Sequence, residues 1–251
     1  MKVVGIIPAR YNSTRFPGKP LAMIKGKTMI QRVCEQAWKS KLDAVVVATD
    51  DIRIADEVLK FGGQYVMTDP NHRSGTDRCC EAVEILEQQY DAVINIQGDE
   101  PFIDPRHINL LVDLISRDDT QLASLVKRIN DEEDLFCVNK VKVVMDKTGK
   151  ALYFSRNPIP FMHNVANEKW LQKGRFFQHI GIYAYKTDTL RQIAMMQPSE
   201  LEMAESLEQL RWLENGLSIR MAIVAGDSIA IDTPDDLAKA KEMAQYQDDN
   251  R

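Results

Sequence analysis

The sequence predicts an α/β fold, with a mostly parallel sheet and helices on both of its faces. Short apolar runs alternate with stretches of helical periodicity through the first half of the chain, which is the pattern of repeated strand–helix units. The runs at residues 3–7 and 44–48 are unbroken, as is typical of strands buried on both faces of a parallel sheet. Ligands of such sheets bind beyond the carboxyl ends of the strands, so a site is expected in the loops that follow them.

Helices are predicted from periodicity and from the signals at their ends. In the first helix Ile30, Val33 and Ala37 recur at the spacing that places them on one face. The second helix begins with Asp50 or Asp51 as its N-cap and is closed by a pair of glycines. For this half we predict strands at residues 3–7, 44–48, 64–67 and 92–96, and helices at residues 28–40, 51–61, 77–89 and 105–116.

The second half is less regular. Its periodicity predicts strands at residues 141–145, 151–154, 179–185 and 219–224, and helices at residues 200–215 and 234–246. No internal repeat or low-complexity linker interrupts the chain. We therefore predict a single domain over residues 1–251, with a smaller β-rich subdomain at about residues 130–185.

Composition excludes several classes of protein. The net charge is −5, whereas a general nucleic-acid binder usually carries a basic surface, so no nucleic-acid partner is expected. No apolar run is long enough to cross a bilayer, so no membrane partner is expected, and the apolar run that opens the chain is too short for a signal peptide. The four cysteines form no CxxC pair and suit neither a disulfide framework nor a zinc site. These features predict a cytoplasmic protein.

The loop at residues 8–20, PARYNSTRFPGKP, concentrates positive charge. Arg10, Arg15 and Lys19 lie within ten residues of one another, although neighbouring cations repel. A polyphosphate favours such a cluster, because backbone N–H groups bind its oxygens and Arg and Lys balance its charge. The alternative is a basic turn without a ligand. The loop lacks the GxxxxGK[ST] pattern, which disfavours a P-loop NTPase.

Two segments place acidic residues directly after apolar runs. In INIQGDEPFID, Asp99 and Glu100 follow the predicted strand at 92–96, where a carboxylate suits Mg²⁺ or else caps the next turn. In SIAIDTPDD, Asp232 is a second candidate metal ligand, but Asp232 or Thr233 equally suits the cap of the helix that follows. Sequence spacing leaves both pairs of alternatives open.

Weaker signals come from polar residues in other settings. The SGTDR turn, from Ser74 to Arg78, lets the backbone approach a base or ribose, or caps a helix. Polar side chains inside apolar stretches need a partner or a ligand, and three are Arg156, His179 and Tyr183. A structural role is the commoner one for a histidine such as His179. Glu208 and Gln209 lie on a charged helix and are either solvated or face a cleft.

Eight blocks of sequence occur in an order that is specific to one family. They are PARYNSTRFPGKPL, SGTDR, INIQGDEPFI, KVVMD, ALYFSRNPIP, HIGIYAY, SLEQLRWLENG and IDTPDDL, and they span roughly residues 3–240. In this order they closely resemble the 3-deoxy-manno-octulosonate cytidylyltransferase (CMP-Kdo synthetase) family.

The resemblance implies a Rossmann-like nucleotidyltransferase fold with a smaller excursion used for dimerisation and sugar binding. It also implies a homodimer that joins CTP and the acidic sugar Kdo into CMP-Kdo and diphosphate for lipopolysaccharide biosynthesis, with Mg²⁺ as cofactor. Such a phosphoryl transfer needs positioning and charge neutralisation and no covalent enzyme intermediate. The chain departs from the family pattern at Ala230, where glycine is common, so Kdo and its 8-amino analogue both stay open as the sugar.

The resemblance also implies roles for individual residues. The catalytic residues it implies are Arg10, Lys19, Asp99 and Asp232, of which Asp99 and Asp232 would hold the metal. The substrate-binding residues it implies are Pro8, Ala9, Arg15, Ser74, Arg78 and Gln97 for the nucleotide, and Arg156, His179, Tyr183, Glu208 and Gln209 for the sugar acid. Two other functions stay open: activation of a different sugar acid such as a sialic acid, and a catalytically silent nucleotide-binding protein on the same fold.

Overall fold

A computed structural model describes residues 1–12, 16–226 and 230–248 of the chain. It divides into two compact units. The first unit comprises residues 1–112 and 227–251, and the second comprises residues 113–226. The predicted α/β class, with a mostly parallel sheet and helices, is confirmed. The subdomain predicted at about residues 130–185 falls within the second unit.

The first unit is built on a four-stranded parallel sheet. Its six strands are β1 (Val3–Ala9), β2 (Met23–Ile24), β3 (Lys27–Thr28), β4 (Ala44–Thr49), β5 (Gln64–Met67) and β6 (Ala92–Asn95). The strands β6, β1, β4 and β5 pair side by side in that order, all parallel, while β2 and β3 form a separate hairpin. Ile6 at the centre of β1 lies opposite Val46 on one side and Asn95 on the other, and it is fully buried. Since the strands are parallel, the loops after β1 and β6 leave from the same edge of the sheet.

The first-unit helices are α1 (Met29–Ala37), α2 (Ile52–Lys60), α3 (Gly75–Ile85) and α4 (Pro105–Ile115), the last of which extends into the second unit. Side chains fix where they begin. Thr28 caps α1, and Asp51 rather than Asp50 caps α2 by accepting from the Arg53 N–H at 2.9 Å. The α3 helix starts two residues before its predicted start, because Ser74 Oγ accepts from the Asp77 N–H at 3.1 Å.

The second unit contains a five-stranded mixed sheet. Its strands are β7 (Leu122–Arg128), β8 (Lys142–Met145), β9 (Ala151–Ser155), β10 (Phe177–Lys186) and β11 (Arg220–Val224). The long β10 pairs antiparallel with β7 and β8, β9 pairs antiparallel with β8, and β11 pairs parallel with β7. The β7 strand was not predicted. The helices of the second unit are α5 (Glu132–Phe136), α6 (Trp170–Lys173), α7 (Thr187–Ala194), α8 (Glu200–Glu205) and α9 (Glu208–Glu214). The last helix, α10 (Pro234–Asp248), belongs to the first unit.

The prediction of one helix over residues 200–215 is wrong. The chain breaks between α8 and α9 at Ser206, whose φ of 53° is left-handed. Arg156 Nε donates to the Glu205 carbonyl at 2.6 Å, and Arg156 Nη2 donates to the Ser206 carbonyl at 3.2 Å. These are carbonyls that a continuous helix would use internally, so a partner distant in sequence stabilises the break.

Candidate functional site

A cavity of about 260 Å³ lies in the first unit, where the loops leave the carboxyl ends of β1 and β6. Its walls are formed by Pro8, Ala9, Arg10, Lys19, Pro20, His72, Arg73, Ser74, Gly75, Arg78, Gln97, Gly98, Asp99 and Asp232. Nine of these residues were predicted site residues. Arg15, also predicted, lies outside the described residues. The structure thus gathers the predicted nucleotide-site positions that it describes around one cavity.

One cation and two carboxylates meet in this cavity. Lys19 Nζ lies 2.7 Å from Asp99 Oδ2 and 3.3 Å from Asp232 Oδ1. The three side chains are 15 %, 25 % and 42 % exposed, so the cluster is open to a ligand while Lys19 itself is largely covered. Charges held in a partly desolvated site interact more strongly than charges on the surface.

The helix α10 supplies its own cap and leaves the Asp232 carboxylate directed at the cluster. Thr233 Oγ1 accepts from the Asp236 N–H at 3.2 Å, and an Asp236 carboxylate oxygen accepts from the N–H groups of Asp232 and Thr233 at 3.1 and 2.9 Å. The alternative between Asp232 and Thr233 as cap is therefore decided in favour of Thr233. Ile231, fully buried in an apolar cluster with Met29 and Ile24, anchors the segment.

The backbone on the cavity wall packs closely. A Cβ on Gly98 would lie 2.9 Å from the Pro8 carbonyl oxygen, nearer than real Cβ atoms approach. Only glycine allows the loop after β6 to pass this close to the end of β1. The close approach brings Gln97 and Asp99, on either side of Gly98, to the cavity that Pro8 lines.

Arg78 and Ser74 both make hydrogen bonds to other groups of the protein. Arg78 is only 3 % exposed, and its guanidinium donates to Thr68 Oγ1 at 2.5 Å and to Asp50 Oδ2 at 2.9 Å. Ser74 Oγ is the cap of α3. The sequence left open whether the SGTDR turn approaches a base or ribose or caps a helix, and the structure shows the helix cap. The charge of Arg78 is balanced by Asp50.

Five residues of the cavity wall are not among the predicted site residues: Pro20, His72, Arg73, Gly75 and Gly98. His72 and Arg73 line the cavity directly before Ser74, and His72 Nε2 lies 2.5 Å from Glu81 Oε2. The pair carried no pattern of its own, and only its position beside the SGTDR block pointed to the site.

In the second unit, Arg156 binds main-chain groups. Its own N–H donates to Glu205 Oε2 at 2.9 Å, and its guanidinium donates to the carbonyls of Glu205, Val138 and Ser206. The three guanidinium distances are 2.6, 3.1 and 3.2 Å. Arg156 therefore links the end of β9 to the α8–α9 break and to the loop after α5.

A bulge in β10 brings His179 and Tyr183 together. Ile180 lies opposite Leu125 of β7, whereas Tyr183 lies opposite Ser124, so three steps along β10 match one step along β7. The rings of His179 and Tyr183 consequently lie 5.3 Å apart. Two polar residues that are separated in sequence become neighbours on one face.

His179 is held as a neutral ring. Desolvation by burial lowers the pKa of His179 to about 3. Ser124 Oγ lies 2.8 Å from the Ile182 carbonyl and 2.9 Å from His179 Nε2. Since the hydroxyl has one hydrogen, which the carbonyl accepts, Ser124 accepts from the Nε2–H of His179. Both residues therefore have partners, as a structural role requires.

Glu208 and Gln209 begin α9 beside this aromatic group. Gln209 is buried, and Glu208 Oε1 lies 3.3 Å from Arg211 Nη2. Burial and then the charge of Glu208 raise the pKa of Tyr183 well above its usual range. The Tyr183 ring also meets Trp212 edge-on at 4.9 Å. The four sugar-site residues predicted near this strand and helix thus lie in one part of the second unit, to which Arg156 is tied through the α8–α9 break.

Comparison with known proteins identifies the family. The cytidylyltransferase family model matches residues 4–219. The 3-deoxy-manno-octulosonate cytidylyltransferase of Parabacteroides distasonis is 53 % identical over 244 residues, covering 96 % of this chain and 97 % of that protein. The enzyme of the same name from Cytophaga hutchinsonii is 53 % identical over 241 residues, covering 95 % and 96 %. The chain belongs to the 3-deoxy-manno-octulosonate cytidylyltransferase family.

Solved structures agree with membership of the cytidylyltransferases. A CMP:2-keto-3-deoxy-manno-octonic acid synthetase complexed with CTP matches with a TM-score of 0.92 and 42 % identity, covering 98 % of this chain and all (100 %) of that one. A 4-diphosphocytidyl-2C-methyl-D-erythritol synthase from Anaerococcus prevotii matches with a TM-score of 0.62 at 14 % identity, over 97 % and 98 % of the two chains. This second likeness shows the shared fold alone, which is the predicted Rossmann-like nucleotidyltransferase fold.

Four further observations concern the metal-binding groups, the helices, the cysteines and Ala230. Among the described residues, no three His, Cys, Asp or Glu side chains cluster as a metal site, and none of the helices there is long and apolar enough to span a membrane. All four cysteines are free thiols. Ala230, the position at which the resemblance implies a departure from the family pattern, is exposed.

Proposed function

We propose that this chain transfers CMP from CTP to the anomeric hydroxyl of Kdo, giving CMP-Kdo and diphosphate for lipopolysaccharide biosynthesis. The observation that carries the proposal is the cavity at the ends of β1 and β6, where Lys19, Asp99 and Asp232 meet. Relatives that share about half of the residues over nearly the full length carry the name of this activity. A structural match at 42 % identity is described as a complex with CTP.

The reaction forms one bond and breaks one. The anomeric oxygen of the sugar bonds to the α-phosphorus of CTP, the bond from that phosphorus to the bridging oxygen breaks, and diphosphate leaves. The hydroxyl loses its proton in the same overall change. Arg10 and Lys19 on the cavity wall supply positive charge to the phosphate oxygens, and Arg15 belongs to the same loop. Positioning and charge neutralisation are the main demands of such a transfer.

The two carboxylates fit Mg²⁺. Asp99 and Asp232 already converge on one cation, the Lys19 ammonium, and both offer the oxygen ligands that this metal prefers. Mg²⁺ in nucleotide enzymes is commonly held by one or two carboxylates together with substrate phosphates, so a third protein ligand is not needed. We assign Asp99 and Asp232 to this ion, which when bound supplies charge neutralisation at the phosphates.

We assign recognition of the sugar acid to the second unit. Tyr183, the neutral His179, Glu208 and Gln209 offer hydrogen-bonding groups suited to a polyhydroxylated acid. Arg156 supports them indirectly, since its guanidinium binds three main-chain carbonyls around the α8–α9 break directly before Glu208. We therefore treat Arg156 as a positioning residue of the sugar site.

We also propose a cytoplasmic homodimer. Free thiols at all four cysteines suit the reducing cytoplasm. The second unit exposes large apolar side chains, among them Phe161 at 73 %, Leu152 at 60 % and Val138 at 56 %, which suit burial against a second copy. Sedimentation velocity tests the dimer, and a single species of monomer mass at micromolar concentration would exclude it.

Diphosphate release tests the proposed function. Purified protein is incubated with CTP and Mg²⁺ together with Kdo, its 8-amino analogue or a sialic acid, and the sugar nucleotide is identified by mass spectrometry. We expect turnover with Kdo. Turnover with only one of the other acids would move the specificity to that sugar. No diphosphate with any acid at saturating concentrations would favour a silent nucleotide-binding protein.

A further inference from the structure

The single ammonium group of Lys19 has two kinds of candidate partner, the phosphates of a nucleotide and the carboxylates of Asp99 and Asp232. Lys19 lies on the cavity wall, in the loop whose cations suit a triphosphate. Its Nζ nevertheless contacts both metal-site carboxylates, 2.7 Å from Asp99 Oδ2 and 3.3 Å from Asp232 Oδ1. The side chain is 15 % exposed, so it is held at this position by the cavity and is not a freely moving surface lysine.

Two cations cannot share these carboxylates at low cost. A divalent ion held by Asp99 and Asp232 would be close to the ammonium that contacts the same two carboxylates, and like charges that are close together repel strongly in a partly desolvated site. A phosphate group offers the ammonium an alternative partner. Loading of the carboxylates by a divalent ion and binding of Lys19 to phosphate are therefore coupled events.

We propose that Lys19 is a built-in competitor for the metal site. Its ammonium occupies the two carboxylates until the triphosphate of the nucleotide draws it away, so that a divalent cation binds well only together with nucleotide. By linkage, bound nucleotide raises the affinity for the cation and bound cation raises the affinity for nucleotide. The inference rests on the proposed function for the identity of the nucleotide, while the competition itself concerns only this chain and a metal ion.

The competition is measured with the metal alone. Mn²⁺ is titrated into the full-length protein without nucleotide, and binding is followed by calorimetry and by the electron paramagnetic resonance signal of free Mn²⁺. Lys19→Met removes the competing charge, and we expect it to bind Mn²⁺ about tenfold more tightly than the wild type. Lys19→Gln is a second variant with a polar side chain, used in case the first fails to fold.

Two controls connect the effect to this site. Lys27 forms a comparable pair with Glu35 at 2.7 Å, away from the cavity, so Lys27→Met should leave Mn²⁺ affinity at the wild-type value. Adding Asp99→Asn to Lys19→Met should abolish the gain, because it removes one of the two carboxylates. A Mn²⁺ affinity that does not rise in the folded Lys19 variants, or that rises equally in Lys27→Met, overturns the proposal.

Mn²⁺ binding by the Lys19 variants and turnover by the wild type are measured separately, so the competition and the catalytic activity are tested independently. Wild-type turnover of CTP and Kdo without tighter Mn²⁺ binding by the Lys19 variants contradicts the competition and leaves the activity standing. Tighter Mn²⁺ binding by those variants without wild-type turnover supports the competition and contradicts the activity.

Discussion

The main-chain N–H of Ile231 donates to the carbonyl of Asp99 at 2.9 Å. This bond joins two segments that are distant in sequence and places the Asp232 carboxylate, one residue further on, beside that of Asp99. Because the link is made by backbone atoms, the two acids should stay together when either side chain is changed. Substitutions at Asp99 or Asp232 therefore keep the backbone bond that positions the two residues.

Gly18 is predicted to be essential to the loop that presents Lys19. It has a φ of 71°, and its N–H donates to the Tyr11 carbonyl at 2.9 Å. A Cβ there would lie 3.1 Å from the Tyr11 ring. Gly18→Ala should therefore add a steric clash to the cost of a left-handed backbone, which is about 1 kcal/mol by itself. We expect both lower stability and a KM for CTP raised about tenfold, through displacement of Lys19.

Gly26 provides the matched control. Its φ of 77° is similar, but a Cβ there would meet nothing within 4 Å. Gly26→Ala should show the backbone cost alone, measured by urea unfolding, with an unchanged KM for CTP. Equal effects of the two substitutions on stability and KM would show that the Tyr11 contact has no role in the loop.

The lowered pKa of His179 predicts that the folded protein loses stability in acid. The folded-state pKa of about 3 is below the value near 6.5 of an unfolded histidine. Between those values the unfolded chain holds one more proton at this position than the folded chain. Stability therefore falls as the pH drops from 6.5 towards 3, with a slope of at most about 1.4 kcal/mol per pH unit. His179→Gln should reduce the slope measured by urea unfolding between pH 7.5 and 5.

The exposed His163 is the control for that experiment. His163→Gln makes the same substitution outside the protein core, and comparing the two variants separates the loss of the buried ring from the substitution itself. If His179→Gln keeps the wild-type slope, His179 takes up its proton over the same pH range in the folded and unfolded chains, and the lowering of its folded-state pKa by burial would be wrong.

Arg156 is expected to act through structure. Lysine cannot reproduce a fork of N–H groups that reaches three carbonyls, so Arg156→Lys should lower the free energy of unfolding by about 2 kcal/mol. It should also raise the KM for the sugar more than the KM for CTP, because the α8–α9 break leads into Glu208. Arg117→Lys, at an exposed position, controls for the substitution itself. Unchanged stability with a large rise in sugar KM would instead make Arg156 a direct ligand of the sugar.

The parts of the fold that the sequence predicts well are those governed by local pattern. The unbroken apolar runs of β1 and β4 are buried strands, and Asp51, one of the two predicted caps, begins its helix. The strand β7 was missed because Ser124 interrupts its apolar pattern. That serine is fully buried and is satisfied by β10, a partner distant in sequence.

In the candidate site, too, local pattern predicts some features and distant partners determine others. The sequence identified the cations of residues 8–20 and the carboxylate of Asp99 as candidate ligand-binding groups, but it could not show where they meet. The choice between Asp232 and Thr233 as the helix cap required the bonds of Thr233 and Asp236, which only the structure shows. The break at Ser206 could not be predicted from helical periodicity, because the carbonyls there are bound by Arg156 from another element.

The most direct test of the proposed catalytic centre is the turnover of Asp99→Asn with saturating CTP, Kdo and Mg²⁺, measured by diphosphate release. Since the backbone bond to Ile231 is kept, the variant should stay folded while its kcat falls at least about a hundredfold. Asp104→Asn, which alters a carboxylate paired with Arg106 outside the cavity, should keep wild-type turnover. Near-normal kcat in Asp99→Asn would contradict the claim that the Lys19–Asp99–Asp232 cluster is the centre of catalysis.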